Sequence, residues 1–257
     1  MDAVTVEVVA PHVALVTIRR RDARNSVNGA VAAGLDRAVK AIEADPDLWT
    51  AILTGEGGVA FCAGADLKEV SAGRMQDLYT SDGQFAGFVK HPRSKIWIAA
   101  VEGFALAGGF ELALACDMIV ASDTSVFSLP EVTRGLIAAA GGVYRLPRAM
   151  PRAQAFELIA TGGRIPAARA AELGFVNKVT VAGEAVAEAI AFAELINQNA
   201  PIAVRESLGI ARQAYDMSDD ALFALSLEAQ DRVMMTEDFA EGPRAFVEKR
   251  APQWTGR

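Results

Sequence analysis

Hydrophobic and polar positions alternate at the start of this chain and recur every three to four residues near its end. Val4, Val6 and Val8 sit between polar partners, and Val13–Ile18 reads as a second strand, with Ala10-Pro11-His12 as the turn between them. Val31, Leu35, Val39 and Ile42 share one face and predict a helix from about Asn28 to Ala44. Thr50–Thr54 and Ile96–Val101 are short apolar runs of the buried-strand type. Asp117–Ala121 and Phe175–Val179 are further strands. Pro151 and Pro166 open helices, and Gly174 ends the second. Residues 71–95 carry Met75, Leu78, Tyr79, Phe85 and Phe88 without a clear period, which suits a pocket wall or lid.

From about Ala182 the texture changes. Strand signals vanish and helical stretches follow, marked by Pro201, by Ser218 with Asp219 and Asp220, and by Thr236 with Glu237 and Asp238. Phe223, Leu227, Val233 and Met234 leave more apolar surface than isolated helices can hide. The pattern predicts an α/β core over residues 1–195 that carries the active site. A helical oligomerisation region is expected over residues 196–257.

Composition narrows the partners. The 257 residues are 52% hydrophobic, as a well-packed core requires, and the net charge of −7 disfavours a general nucleic-acid or anionic-membrane surface. A phosphate-bearing ligand then needs a local basic patch. Cys62 and Cys116 have no metal-ligand spacing, and a reducing, cytoplasmic setting is expected. Asp2 and the alternating start give no leader signal, and no apolar run approaches the roughly 20 residues of a membrane span. The run Arg19, Arg20, Arg21 and Arg24 reads as a solvated loop or a phosphate contact. Gly55–Ala60 fits the dinucleotide pattern G-x-G-x-x-A, but neither the helix nor the second strand that the pattern needs follows it, so a Gly-rich turn is the reading.

Candidate chemistry centres on Ile96–Ser122. A strand runs into Gly103, Ala105, Ala107, Gly108 and Gly109, and a helical pattern with Leu112, Leu114 and Ala115 follows. A Gly-Gly pair opening a helix leaves backbone N–H groups that can hold an oxyanion. Glu111 lies inside that apolar helix, and Glu131 follows Pro130 in a second apolar setting. Burial raises a carboxyl pKa toward the range in which the group both accepts and donates protons. His12 and His91 have no nucleophile partner in sequence, so acid–base work falls to the carboxylates. Two N–H donors suit a thioester carbonyl that becomes an enolate, and two carboxylates suit addition of water across a double bond.

Three motifs then resemble the enoyl-CoA hydratase/isomerase (crotonase) family. They are Phe61–Glu69, Ala99–Ser122 and Phe127–Arg148, in the family's order and spacing. The resemblance implies a spiral of ββα units with a helical trimerisation region, hence a homotrimer or dimer of trimers. It implies a CoA thioester substrate in fatty-acid chemistry, and no metal or redox cofactor. By the same resemblance Ala65 and Gly108 match the oxyanion-hole donors, and Glu111 and Glu131 the two catalytic glutamates. Ala63 and the segment Ala65, Asp66, Leu67 and Lys68 match the strip along the CoA pantetheine and adenine. Arg24 and Lys68 are candidates for CoA phosphates, and Phe246 and Lys249 for closing that site. Two positions depart from the pattern: Ala138-Ala139 replace a common Pro-Gly, and Leu129 stands where mitochondrial-type hydratases carry Gln. An isomerase would need only one carboxylate, whereas a specialised dehydratase, for instance on a carnitinyl-type thioester, would use both. An RNA-binding role would rest on the basic patch Lys90, His91, Arg93 and Lys95.

Overall fold

The computed structural model describes residues 2–257. They divide into two compact units, one ending at Ala193 and one spanning Glu194–Arg257.

The first unit opens with β1 (Val4–Ala10) and β2 (Val13–Ile18), an antiparallel hairpin. Helix α1 (Gly29–Ala44) follows, its N-terminus capped by Asn28, whose side chain accepts from the Val31 amide. Next come β3 (Thr50–Gly55), β4 (Ala60–Cys62) and the short α2 (Leu67–Ser71). A small hairpin, β5 (Tyr79–Thr80) and β6 (Gln84–Phe85), gives order to part of the segment that shows no sequence period. Then β7 (Ile96–Val101), β8 (Phe104–Leu106) and α3 (Gly108–Ala115) repeat the strand–strand–helix order of β3, β4 and α2. A third turn begins with β9 (Met118–Ser122) and β10 (Val126–Ser128) and reaches α4 (Gly142–Ala149). After it come α5 (Arg152–Thr161), β11 (Arg164–Pro166), α6 (Ala167–Glu172), β12 (Lys178–Thr180) and α7 (Ala185–Asn197).

In each turn the first strand joins one sheet and the second strand joins another. The larger sheet has the order β1-β2-β3-β7-β9-β12, parallel from β2 onward. The smaller has the order β11-β10-β8-β4, with β4, β8 and β10 parallel. Strands buried on both faces need continuous apolar runs, and β3 and β7 are buried at every position.

Two expectations change. Phe175 and Val176 lie outside β12, which starts at Lys178. The Phe175 amide bonds back to the Ala170 carbonyl at the end of α6. Its ring joins Phe110 and Phe127 at centroid distances of 5.5 and 5.4 Å, so burial takes these residues out of the sheet. The arginine run is not a solvated loop throughout. Arg20 donates to Asp66 at 2.9 Å and to the Ser26 carbonyl at 2.6 Å, and Arg19 pairs with Glu56 at 3.2 Å. Buried Asn25 ties the same loop to the carbonyls of Glu56 and Ala60.

The second unit holds α8 (Pro201–Ala211), α9 (Asp219–Met234) and α10 (Glu237–Glu248). Ser218 and Thr236 cap the last two, as their positions predict. Glu241 and Asp238 fasten the final residues of the chain, Glu241 through Arg250 and the Gln253 amide, Asp238 through the amides of Thr255 and Gly256. An apolar cleft of about 500 Å³ runs between the three helices, lined in part by Ile210, Val233, Met234 and Phe239. Among the described residues no helix is long and apolar enough to cross a membrane.

One close approach fixes where α3 enters the core. A Cβ built on Gly109 would sit 1.9 Å from the Cys62 carbonyl oxygen, so only glycine lets α3 press on the end of β4. Gly109→Ala is expected to cost about 3 kcal/mol or more, the upper range for overpacking, read as a lower urea midpoint. A wild-type midpoint would mean that α3 does not need this contact.

Candidate active site

The parallel strands of the small sheet place the chemistry. Cys62 of β4 pairs with Ala105 of β8, and Ser128 of β10 pairs with Leu106. The chain leaves each strand in the same direction. Three residues past Cys62 is Ala65, three past Ala105 is Gly108, and three past Ser128 is Glu131. One turn into α3 comes Glu111.

The two amides lie side by side. A Cβ on Gly64 would lie 3.0 Å from the Gly108 nitrogen, so the Gly64–Ala65 peptide runs against the start of α3. Gly64 has φ of +90°, which lets the chain turn there without strain. The flanking peptides of Ala65 are held: Val27 donates to the Gly64 carbonyl and Asp66 to the Val27 carbonyl, both at 2.8 Å. The amides of Ala65 and Gly108 themselves donate to nothing among the described residues. Ala107, before Gly108, is held at φ 53° and ψ −129°, a strained conformation for alanine. Such strain costs about 1–3 kcal/mol and gathers at functional turns. Here it swings the Gly108 N–H out of the strand direction, while the Ala107 amide stays anchored to the Ser128 carbonyl at 2.9 Å.

Glu111 is almost wholly buried. Its carboxylate accepts from the Gly142 amide at 2.8 Å. Burial pushes its pKa up to about 7. The amides of Gly142 and Ala140 and the charge of Arg145 oppose that rise, and the charge of Glu131 adds to it. Glu131 sits in the turn Pro130–Arg134, which follows β10. Burial raises its pKa also, against its own backbone amide and Arg134. Its Oε2 is buried without a hydrogen-bond partner, an acceptor left open for an incoming group. Tyr79 faces the same space, and its phenol is pushed up by burial and by the charge of Glu111.

The strip expected to follow a CoA chain is continuous. The Ala63 amide donates to the carbonyl of Arg24 at 3.1 Å, and Arg24, Leu67 and Lys68 are exposed beside it. Asp66 differs from its neighbours. It turns inward, capping α2 through the Lys68 amide and pairing with Arg20. Burial works to raise its pKa, but Arg20 and the Lys68 amide outweigh that and hold it below the ordinary range. Phe246 and Lys249 lie in the second unit, where Phe246 is exposed and Lys249 ends α10 in a left-handed conformation.

The basic patch considered for RNA is largely turned inward, with Lys90 its one exposed residue. Lys95 is buried and its ammonium donates to the carbonyls of Ile42 and Asp45 at the end of α1. Arg93 donates to the Ala115 carbonyl at 2.6 Å and stacks on Phe88. The His91 ring is buried 3.7 Å from Asp36. Asp36, Asp82 and His91 do converge, a grouping that sequence spacing hides, but the Lys40 ammonium already bridges the two carboxylates at 2.8 and 2.7 Å. Sequence reasoning also missed Gly142 and Arg145, whereas Tyr79 belongs to the segment expected to form a pocket wall. The only signal for Gly142 is the small-residue cluster Ala138–Gly142.

Known proteins resemble this chain along most of its length. The family model described as enoyl-CoA hydratase/isomerase matches residues 10–257. A mevalonyl-coenzyme A hydratase of Aspergillus fumigatus is 39% identical over 249 residues, covering 95% of this chain and 92% of the other. A carnitinyl-CoA dehydratase of Proteus mirabilis is 42% identical over 218 residues, covering 83% and 84%. The crystal structure of an enoyl-CoA hydratase from Mycobacterium tuberculosis superposes with a TM-score of 0.95 at 45% identity, covering 100% of both chains.

The Glu111 pKa has a cost in stability. An acid whose pKa rises on folding holds its proton longer in the folded chain, so stability falls as pH rises from the ordinary 4.5 to about 7. The loss is complete above that window and amounts to about 2–3 kcal/mol. Glu111→Gln is therefore expected to melt higher than wild type at pH 8 and close to it at pH 4. Equal melting temperatures at pH 8 would mean that Glu111 is not strained by burial.

Proposed function

The chain belongs to the enoyl-CoA hydratase/isomerase family, and on that premise we propose that it adds water across the double bond of a trans-2-enoyl-CoA to give a 3-hydroxyacyl-CoA. It is a hydro-lyase of the enoyl-CoA hydratase type. The observation that carries the reading is the buried carboxyl of Glu111 and the half-buried one of Glu131, set beside two amides unpaired among the described residues.

The geometry supports the following roles. The thioester carbonyl oxygen accepts from the N–H groups of Ala65 and Gly108, which stabilise the charge as the enolate forms. A water molecule between the two carboxyls loses a proton to one of them, and its oxygen bonds to the β-carbon. The other carboxyl delivers a proton to the α-carbon. This needs one carboxyl charged and one protonated. Glu111, with its pKa pushed up to about 7, takes either state near neutral pH. The CoA moiety would lie along Ala63, Ala65, Leu67 and Lys68, with Lys68 and Arg24 near its phosphates and only the backbone of Asp66 facing it. No metal or redox group has a step to perform in this scheme.

A second reading has its own support. The likeness to a carnitinyl-CoA dehydratase and a mevalonyl-coenzyme A hydratase favours an acyl group with polar substituents over a plain fatty chain. Loss of water from such a thioester is the same chemistry in reverse. An isomerase would leave one glutamate without a task.

We further infer a homotrimer or dimer of trimers, acting in the cytoplasm in fatty-acid or related acyl-CoA metabolism. Phe223, Met235 and Phe246 of the second unit are 65, 88 and 84% exposed, an apolar surface that suits an interface. Light scattering is expected to show three or six chains; a monodisperse monomer rules this out.

Glu111→Gln and Glu131→Gln are each expected to lose about 10²–10⁴-fold in hydration kcat. The double variant is expected to be far less than multiplicatively worse, since the two act as a unit. An isomerase gives a different pattern on 2-enoyl and 3-enoyl thioesters, with one glutamate essential and the other nearly silent. Wild-type hydration by Glu111→Gln would end the two-carboxyl mechanism.

A further inference from the structure

Arg145 is a partly buried cation on α4 that bonds no carboxylate among the described residues; both arms of its guanidinium go to backbone carbonyls instead. Nη1 donates to the Ala140 carbonyl at 2.9 Å. Nη2 donates to the Val89 carbonyl at 2.6 Å, fifty-six residues away in sequence. Ala140 stands in the small-residue turn just before α4, and Val89 lies four residues past the end of β6. The same turn supplies the Gly142 amide, 2.8 Å from Glu111, and the Ala140 amide also faces that carboxylate. One planar fork thus ties the wall segment of the pocket to the turn that grips Glu111.

We propose that Arg145 is the positioning residue of this site: it clamps the Ala140 turn to Val89 and so fixes the amides that hold the Glu111 carboxylate. A flexible turn of Ala and Gly has no side chains to hold it, so its order must come from outside. Arg145 supplies that order and a positive charge as well. The groups whose charges reach Glu111 are Glu131 from the turn after β10, Arg145 from α4, and Tyr79 from β5, whose phenol in turn feels Glu111. Arg145 is the cation among them. It is itself bordered by Cys116, Tyr144 and Arg148. Lysine cannot replace it, because a single ammonium lacks the in-plane fork that reaches two carbonyls at once.

The geometric part stands on the contacts alone; the catalytic consequence rests on the hydratase reading. The test separates them by titrating the free protein. Carboxyl ¹³C signals of labelled glutamate are followed with pH, the Glu111 signal being assigned by its loss in Glu111→Gln. In Arg145→Met the midpoint is expected to rise by about one pH unit, since a nearby cation that favours the charged carboxylate is gone. Arg145→Lys keeps the charge without the fork. Its midpoint is expected to rise less than that of Arg145→Met, because the support of the loosened amides is lost but the charge is kept, while hydration kcat falls about tenfold or more and KM changes by less than about threefold. An unmoved midpoint in Arg145→Met, or an unchanged kcat in Arg145→Lys, overturns the proposal. Should Arg145→Met fail to fold, Arg145→Lys decides alone: a lower kcat at little-changed KM supports the clamp, and an unchanged kcat, or a loss confined to KM, overturns it. If wild-type protein hydrates no enoyl thioester, the hydratase reading fails, and the Arg145→Met titration still tests the clamp.

Discussion

A carboxylate placed in an apolar interior must be neutralised, paired or hydrogen-bonded, and Glu111 sits under that constraint with no ion-pair partner in contact. It is held instead by backbone amides from a turn thirty-one residues further on. Amide support is weaker than an ion pair, so the proton stays on to about neutral pH. An arginine directly on Glu111 would have lowered its pKa and left it permanently charged. The nearest cation, Arg145, spends its hydrogen bonds on carbonyls, so the carboxyl remains able to exchange its proton.

The rest of the site follows from parallel pairing. In β4, β8 and β10 the C-terminal ends coincide, so whatever follows each strand collects in one place. Ala65 and Gly108 arrive with free N–H groups because their flanking peptides are already bonded elsewhere. The strain at Ala107 and the close approach at Gly109 are what that convergence demands of the backbone. Both are tolerated because large rings, Phe110, Phe127 and Phe175 among them, pack the surrounding core.

Much of this was legible beforehand, and for identifiable reasons. Ile96–Val101 and Thr50–Thr54 announce buried strands by unbroken apolar runs, and Ser218 and Thr236 announce helix starts by their capping side chains. The small residues at 107–109 read equally as an oxyanion site or as a place of close packing, and the Gly109 contact with Cys62 shows that packing is part of the answer. What stayed hidden depends on distance in the chain. Arg145 reads as one more surface arginine until the fold brings Val89 to it. Lys90–Lys95 reads as a basic patch until Ile42, Asp45 and Ala115 offer carbonyls that draw Lys95 and Arg93 inward and leave Lys90 exposed. Phe175 has strand character, but its burial against two other rings outweighs local preference.

The span of these contacts also bears on how the protein is made. Glu111 has its amide support only after residue 142 has joined the fold, and the amide of Ala65 is framed by Val27 far upstream. No fragment that emerges early in synthesis can hold the complete constellation. A nascent chain exposes the carboxyl and the glycine-rich turns to water, where the acid behaves as any other glutamate. The constellation therefore assembles late, together with closure of the core.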